Sequence, residues 1–294
     1  MAVLSQSRCP GLLLQTSAVG PRPKDIRLTG LTAAFDVSCS VVVEAGEPQQ
    51  RRASILECTA DPDALPLFAE SARSFLQLLG PTPSMMATAQ AVIRLAAIFS
   101  SLARSTSESV TGLIGELMLL LLAKDPVGAI CSWRVSPADI FDFSANDARV
   151  EVKATSKQLR LHSFSWEQCH PPAGAALVAS MRVVPAGGGL TVRELMNRVE
   201  DRLEGAPLAA IRLRETVAAT MGAGLTHALD ATFDEQICRA SLQWFNLREI
   251  PAIRGDLPSG VAGLRFISDV SLTPTVSASL LAGTALESLT PFQF

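Results

Sequence analysis

Residues 141–153 of this chain read Phe-Asp-Phe-Ser-Ala-Asn-Asp-Ala-Arg-Val-Glu-Val-Lys, and this stretch decides the fold. Apolar and charged side chains alternate at both of its ends, and residues 144–148 supply a polar turn between them, which predicts a β-hairpin. Successive side chains of a strand point to opposite faces, so Glu151 and Lys153 share one face. A turn at the centre of the polar segment would bring Asp142 next to Glu151 on the partner strand.

The predicted hairpin brings two carboxylates and a lysine into one small volume. Like charges on facing strands destabilise a hairpin unless something neutralises them. A hard divalent cation, which binds oxygen ligands, is the natural partner for Asp142 and Glu151. Lys153 adds a positive charge beside that ion. This combination of groups is typical of sites that hydrolyse phosphodiester bonds with a metal ion.

Asp142 and the tripeptide Glu151-Val-Lys153 resemble the motif of the PD-(D/E)XK nuclease superfamily, although the residue before Asp142 is phenylalanine and not the proline of the written motif. Further segments resemble one bacterial family, the "putative PD-(D/E)XK family member" proteins linked to restriction-modification and phage-defence loci. The resemblance extends over most of the chain, to about Val270. The segments that carry it are residues 112–120, 133–134, 141–143, 151–156, 164–168, 244–251 and 256–261.

This resemblance implies an α/β (α+β) fold, with a restriction-endonuclease-like mixed sheet flanked by helices, an N-terminal β-rich region and a C-terminal α/β extension. It also implies that Asp142, Glu151 and the backbone carbonyl of Val152 bind Mg²⁺ or Mn²⁺. Lys153 would orient or deprotonate the attacking water and contact the scissile phosphate. The expected substrate is double-stranded DNA, cut to a 5′-phosphate and a 3′-hydroxyl.

A glutamate in the helix before the hairpin is the next candidate. The helix is predicted to begin at a capping box, Ser105-Thr-Ser-Glu108, and to end near Lys124. Gly112 and Gly115 each cost about 1 kcal/mol relative to alanine, and in return they let another backbone approach. Glu116 is a charge in an otherwise apolar helix, which is costly unless it is paired or metal-bound. The resemblance implies that Glu116 supplies or orients a metal ligand, and the alternative is a surface glutamate.

Asp139 competes with Asp142 for the role of the motif aspartate. Pro137-Ala-Asp139 is closer to a literal Pro-Asp pair. Asp139 is predicted to lie in the turn that leads into the strand, whereas Asp142 lies within the strand and within reach of Glu151. The sequence therefore favours Asp142, with Asp139 as the alternative.

Four residues after the motif are candidates for contact with DNA. Lys157, Arg160 and His162 follow Lys153 with no acidic residue among them, which fits either a local phosphate-binding patch or a solvated strand end. Gln168 is a candidate for positioning water or phosphate, and a surface glutamine is the alternative. The net charge of −3 and the sequence pI of about 5.7 count against a broad DNA-coating surface.

Composition and length describe a folded protein. The 294 residues are 48% hydrophobic and 18% charged, and the six cysteines show no paired spacing, so free thiols in a reducing compartment are expected. The N-terminus lacks a signal-peptide pattern, and no apolar run reaches the roughly 20 residues of a membrane span. We expect a cytoplasmic protein without a membrane partner. Three regions are predicted, 1–104, 105–190 and 191–294.

Outside the motif, the residue pattern predicts a series of elements. A turn is predicted at residues 187–189. Helices are predicted over 63–79, 84–103 and 207–221. A further helix is predicted to begin at Thr191, which forms a capping box with Glu194. Strands are predicted over 12–14, 26–28, 37–43, 53–58, 130–135, 161–165, 175–184, 236–250 and 264–270.

Together these features predict a metal-dependent DNA endonuclease that takes part in restriction or phage defence. A homo-oligomer, or a complex with a methyltransferase or ATPase of the same locus, is expected to supply target choice or the second cut. The alternative is a non-catalytic DNA-binding or interaction subunit that keeps the nuclease fold. The presence of all three motif groups, Asp142, Glu151 and Lys153, favours the enzyme.

Overall fold

The computed structural model describes residues 2–3, 9–17, 20–42, 46–102, 104, 109–134, 136 and 138–292. The chain forms two compact units. The first consists of Met1–Ser105 and Ala210–Thr226, and the second of Thr106–Ala209 and His227–Phe294. Helices and mixed or antiparallel sheets build the protein, which confirms the predicted α/β class.

The helices and strands are numbered here in chain order. The α-helices are α1 Leu65–Leu79, α2 Met85–Leu102, α3 Val110–Leu122, α4 Pro126–Ser132, α5 Val192–Asp201, α6 Pro207–Met221, α7 Leu225–Leu229 and α8 Glu235–Ala240. The strands are β1 Ala2–Val3, β2 Pro10–Leu14, β3 Ile26–Leu28, β4 Leu31–Val41, β5 Gln49–Cys58, β6 Phe143–Ser144, β7 Ala148–Thr155, β8 Leu161–Ser165, β9 Ala175–Arg182, β10 Pro185–Thr191, β11 Thr232–Phe233, β12 Gln243–Asn246, β13 Arg265–Asp269 and β14 Thr275–Val276.

The first unit is an antiparallel sheet with helices packed on it. Its five strands pair in the order β1-β2-β5-β4-β3. The helical periodicity predicted for α1 is present, because Leu67, Phe68, Ala72 and Phe75 are all buried. Helix α2 packs on α1 and β4, and Phe99 lies 6.3 Å from Phe68 between ring centroids. These contacts form the apolar core of the unit.

Helix α2 is also long and apolar enough to cross a membrane by length and composition alone. Half of its apolar window, 50%, is buried inside the protein. Core helices meet the same criterion, so one such helix is weak evidence for a membrane span.

The second unit is organised around a mixed sheet with the strand order β14-β12-β9-β7-β6. The predicted hairpin is confirmed, since β6 pairs antiparallel with β7 and Phe143 faces Val150. Strand β9 lies parallel to β7 on its other side. Helix α3 packs on one face of β7, where a Cβ atom at Gly115 would lie 3.2 Å from Val152. The β8–β13 ribbon packs on the opposite face and contributes Phe164 to the apolar core.

Two predicted strands begin as helices, and in both cases an aspartate cap is the reason. Residues 130–132 belong to α4, which begins after Asp125, whose side chain accepts hydrogen bonds from the amides of Val127 and Gly128. The start of the predicted strand 236–250 is α8, capped by Asp234. Residues 243–246 of this second one do form a strand, β12. An N-cap side chain stabilises a helix start by about 1 kcal/mol, which outweighs a weak strand pattern.

Other predictions have mixed outcomes. The capping box of Thr191 and Glu194 and the helix over 207–221 are confirmed. The glycines of the predicted turn at residues 187–189 lie within β10, at an irregularity of its pairing with β11 where Pro185 and Leu190 both face Phe233. The capping box predicted at 105–108 lies outside the described residues. Helix α3 begins at Val110, with Ser109 as its N-cap.

Candidate active site at the edge of the core sheet

Asp142 lies one residue before β6, where its carboxylate reaches across the hairpin. The strand begins at Phe143, so the prediction that Asp142 lies within the strand is wrong by one residue. The Asp142 carbonyl accepts a hydrogen bond of 2.7 Å from the Arg134 amide. Its Oδ2 atom accepts one of 2.8 Å from the Val152 amide. Asp142 is therefore held beside the segment that carries Glu151.

Glu151 and Lys153 lie on one face of β7, as the alternation predicts. Lys153 Nζ is 2.6 Å from Glu151 Oε1 and 5.0 Å from the centroid of the Phe164 ring. Glu151 is only 4% exposed. Its second oxygen, Oε2, is buried and has no hydrogen-bond partner within the described part of the chain. An unpaired buried carboxylate oxygen is costly and marks a place for a cation or a donor.

Glu116 forms the back of the site through a buried ion pair. Arg134 binds it in a bidentate manner, with Nε 3.0 Å from Oε2 and Nη2 2.8 Å from Oε1. The indole Nε1 of Trp133 also donates to Oε2, at 2.7 Å. Arg134 Nε lies 3.3 Å from Asp142 Oδ1, so one guanidinium bridges two carboxylates. Glu116 thus reaches Asp142 through Arg134.

Arg134 is a site residue that sequence reasoning did not identify. Its side chain is 4% exposed, and long-range contacts with α3 and the hairpin hold it there. One signal was available in the sequence, because Trp133-Arg134 is among the segments that resemble the family. A charged residue directly after an apolar stretch offered a second signal.

The carboxylates of the site are difficult to ionise together. Burial raises the pKa of Asp142 well above its ordinary value, and the charges of Glu151 and Glu116 raise it further, against the opposing effect of Arg134. Burial also raises the pKa of Glu116, while hydrogen bonds from Arg134 oppose the shift. Ionising all three carboxyl groups would therefore leave an excess of negative charge, which a bound cation would neutralise.

Asp139, the rival of Asp142, lies elsewhere. It is exposed, and its Oδ2 atom accepts a hydrogen bond of 3.0 Å from the Ser136 amide in the predicted turn. Pro137 lies outside the described residues. The structure brings Asp142, and not Asp139, together with Glu151 and Glu116.

Of the residues predicted to contact DNA, Lys157 is exposed, in the loop after β7. Arg160 and His162 are buried and meet at the hydroxyl of Ser180, with Arg160 Nη1 at 2.7 Å and His162 Nε2 at 2.8 Å. Burial, together with the charges of Lys153 and Arg160, lowers the pKa of His162 to about 4. The alternative of a solvated strand end is therefore wrong for Arg160 and His162, because both are buried in polar contacts inside the unit. Their contact with DNA stays a prediction.

Gln168 is also buried, and both ends of its amide bind backbone. Its Nε2 atom donates to the Ile140 carbonyl at 2.8 Å, and its Oε1 atom accepts from the Ser165 amide at 3.0 Å. The surface position weighed in the sequence analysis is wrong. Gln168 instead ties the turn after β8 to the segment that leads into Asp142.

The residues at the sheet edge fit a divalent metal ion. The N–H and C=O of one strand residue point to the same edge, so the carbonyl of Val152 faces the side where its amide meets Asp142. Two carboxylates and this carbonyl are oxygen donors of the kind Mg²⁺ prefers. The described residues contain no group of three or more His, Cys, Asp and Glu side chains arranged for a metal. Backbone and solvent oxygens must therefore complete any coordination shell.

A mixed sheet whose hairpin carries an aspartate, a glutamate and a lysine is consistent with a fold of the PD-(D/E)XK class. The sequence model of the family described as "Putative PD-(D/E)XK family member, (DUF4420)" matches residues 2–271. The chain therefore belongs to this family, as predicted from the sequence. No curated protein and no solved structure matches the chain.

Proposed function

We propose that this protein is a metal-dependent DNA endonuclease and a component of restriction or phage defence. The observation that carries the proposal is the buried, unpaired Oε2 atom of Glu151, which lies in a cluster with Asp142 and Lys153. A chain without a ligand for this cluster would gain little from keeping such an atom buried.

Each group of the cluster has a distinct role in this proposal. Asp142, Glu151 and the Val152 carbonyl would hold Mg²⁺ or Mn²⁺. The bound metal supplies Lewis acidity, which lowers the pKa of water and offsets charge on the phosphate. Lys153 contributes a positive charge that attracts the scissile phosphate and orients the attacking water. Glu116 positions Asp142 through Arg134.

The proposal extends to substrate and partners. Lys157 is exposed after β7 and remains the candidate for a phosphate contact. The net charge of −3 supports a protein that gains DNA affinity from a second copy or from a methyltransferase or ATPase subunit of its locus. We place this activity in the cytoplasm, where bacterial DNA lies.

One observation supports a second candidate, a non-catalytic DNA-binding or interaction subunit. Asp142 and Glu151 each face a cation of the chain itself, Arg134 and Lys153 respectively. These ion pairs hold the fold together without a metal, so the cluster also satisfies a purely structural role.

A plasmid-cleavage assay tests the enzyme, with Mg²⁺ or Mn²⁺ and with or without the products of neighbouring genes. The matched variants are Asp142→Asn and Asp139→Asn. Each removes one carboxylate, the two positions are three residues apart, and only Asp142 lies in the cluster. We expect metal-dependent nicking by the wild type and by Asp139→Asn, and a loss of roughly 100-fold or more in Asp142→Asn. DNA binding without cleavage in every condition would support the non-catalytic subunit instead.

A further inference from the structure

We propose that Arg134 takes the place of a second divalent cation between Glu116 and Asp142, so that the site binds one metal ion and not two. This inference rests on the proposed metal site and adds to it a count of ions and a role for Arg134. Arg134 acts here as a positioning residue, since it contacts carboxylates and not the reacting atoms.

The position of the guanidinium carries the argument. Arg134 Nε lies 3.0 Å from Glu116 Oε2 and 3.3 Å from Asp142 Oδ1, so it occupies the space that a cation shared by these two carboxylates would need. Trp133 fills the remaining approach to Glu116 by donating to the same Oε2 atom at 2.7 Å. Both oxygens of Glu116 are thus engaged by donors of the chain. A metal ion shared by Glu116 and Asp142 would have to displace the Arg134 guanidinium that lies between them.

The charges of the cluster lead to the same count. Three carboxylates, from Glu116, Asp142 and Glu151, face two cationic side chains, Arg134 and Lys153, which leaves one formal negative charge. One divalent ion and one phosphodiester group would bring the assembled site to neutrality. A second divalent ion would leave two uncompensated positive charges in a buried site, which is unfavourable.

The oxygen atoms that remain available to a metal ion also favour one ion. Within the described part of the chain, Glu151 Oε2 is the carboxylate oxygen of this cluster that is buried without a hydrogen-bond partner. It belongs to a side chain more than nine-tenths buried, on the strand β7 that pairs with β6 in the hairpin. The Val152 carbonyl faces the same edge. These are the donors that remain for a metal ion, which favours a single ion over two.

The test is the number of Mn²⁺ ions bound per chain, counted from the electron paramagnetic resonance signal of the free ion. Arg134→Met removes the charge and keeps much of the apolar volume. The double variant Glu116→Gln/Arg134→Met removes one charge of each sign, so its cluster keeps the formal charge of the wild type. We expect one ion in the wild type, two in Arg134→Met and one in the double variant.

A wild type that binds two ions, or a folded Arg134→Met that still binds one, would overturn the role of Arg134. Should Arg134→Met unfold without metal, the dependence of its melting temperature on Mn²⁺ concentration gives the count, because the slope reports the ions taken up on folding. That slope should then be about twice the slope of the wild type, and equal slopes would refute the inference. A wild type that binds no Mn²⁺ would overturn the metal site itself, whereas cleavage of DNA with an unchanged count would overturn the inference alone.

Discussion

At the level of the single residue, Lys153 has two roles, one in stability and one in the proposed activity. Its ammonium is 2.6 Å from Glu151 Oε1, which stabilises a buried carboxylate, and it lies over the ring of Phe164 at 5.0 Å. Both contacts hold the side chain in a defined position. An ammonium held in this way offers a fixed positive charge to whatever anion enters the site.

Replacing Lys153 separates the two roles. Lys153→Met should lower cleavage by roughly 100-fold or more and leave Mn²⁺ binding in place, because an ammonium is not a metal ligand. Without metal, the variant should lose about 1–3 kcal/mol of stability, since Glu151 keeps its buried charge without a partner. Saturating Mn²⁺ should recover most of that loss. Cleavage assays and melting curves with and without Mn²⁺ measure both effects.

Lys157→Met is the matched control for this experiment. Lys157 is exposed and lies outside the cluster, so its melting temperature should stay near that of the wild type at any Mn²⁺ concentration. A fully active Lys153→Met protein would remove the nuclease proposal.

His162 gives the protein a specific dependence of stability on pH. Its pKa is lowered to about 4 from an ordinary 6.5, first by burial and then by Lys153 and Arg160, while Asp269 opposes them. Between pH 6.5 and about 4 the unfolded chain binds more protons at this histidine than the folded chain does. The free energy of unfolding that depends on neutral His162 is therefore fully present above pH 6.5. It falls by up to about 3 kcal/mol as the pH is lowered to about 4.

The comparison variant is His162→Gln, which keeps a polar group near Ser180 and does not titrate. Urea unfolding at pH 4, 5, 6 and 7 should show the wild type losing stability relative to the variant as the pH falls. The carboxyl groups titrate in both proteins and cancel in the difference. Parallel curves would show that His162 is protonated equally in the folded and unfolded chain.

The motif residues could be predicted from the sequence, because strand alternation and a short turn depend on local order alone. Asp142 meets Glu151 across a turn of three residues, and no distant part of the chain is needed for that contact. Arg160 and Gln168 show the opposite case. Their partners, Ser180, Ser241 and Ile140, lie far away in sequence, so their burial follows from the tertiary fold.

At the scale of elements, the packing of α3 on β7 fixes the geometry of the site. A Cβ atom at Gly115 would lie 3.1 Å from Ala154 Cβ and 3.2 Å from Val152 Cγ1. The predicted close approach is therefore confirmed at Gly115, where the neighbour is β7. At Gly112 the corresponding contact is 3.3 Å to the hydroxyl of Ser109, the N-cap residue of the same helix.

This difference predicts the effect of enlarging each glycine. Gly115→Leu should destabilise the protein by about 1–3 kcal/mol, because the added atoms must displace β7. It should also weaken Mn²⁺ binding, since Val152 carries the carbonyl and amide at the site. Gly112→Ala should change stability by less than about 1 kcal/mol, because gained helix propensity offsets crowding at the cap. Chemical unfolding and Mn²⁺ titration of the two variants measure this, and equal losses would contradict the packing argument.

Element types were predictable where one pattern dominated. Strand β9 is mostly apolar and was predicted as a buried strand, and the Thr191 capping box marked the start of α5. Errors arose where a single capping aspartate, Asp125 or Asp234, competed with a short apolar run. A pattern of apolar residues over so few positions does not distinguish a strand from a helix.

On the scale of the whole molecule, the chain leaves the site-bearing unit and later returns to it. Residues 210–226 belong to the unit formed by the N-terminal residues, although they were predicted to lie in a C-terminal extension. The reason is visible within that unit. Glu215 of α6 accepts two hydrogen bonds from Arg94 of α2, and Arg214 is paired with Glu70 of α1. Three elements far apart in sequence thus build one unit, a relation that local patterns do not contain.

The last prediction concerns the independence of the site-bearing unit. A fragment of residues 106–294 that keeps residues 210–226 should aggregate, because Ile211, Leu213 and Val217, buried in the full chain, lose the unit that covers them. The same fragment with residues 210–226 replaced by a flexible Gly-Ser linker of equal length should stay monodisperse and melt cooperatively. It should also bind Mn²⁺ as the full chain does, because Glu116, Asp142 and Glu151 all lie within it. Size-exclusion chromatography, thermal melting and Mn²⁺ titration compare the two fragments. Aggregation of the linker variant would show that the site-bearing unit needs the N-terminal residues in order to fold.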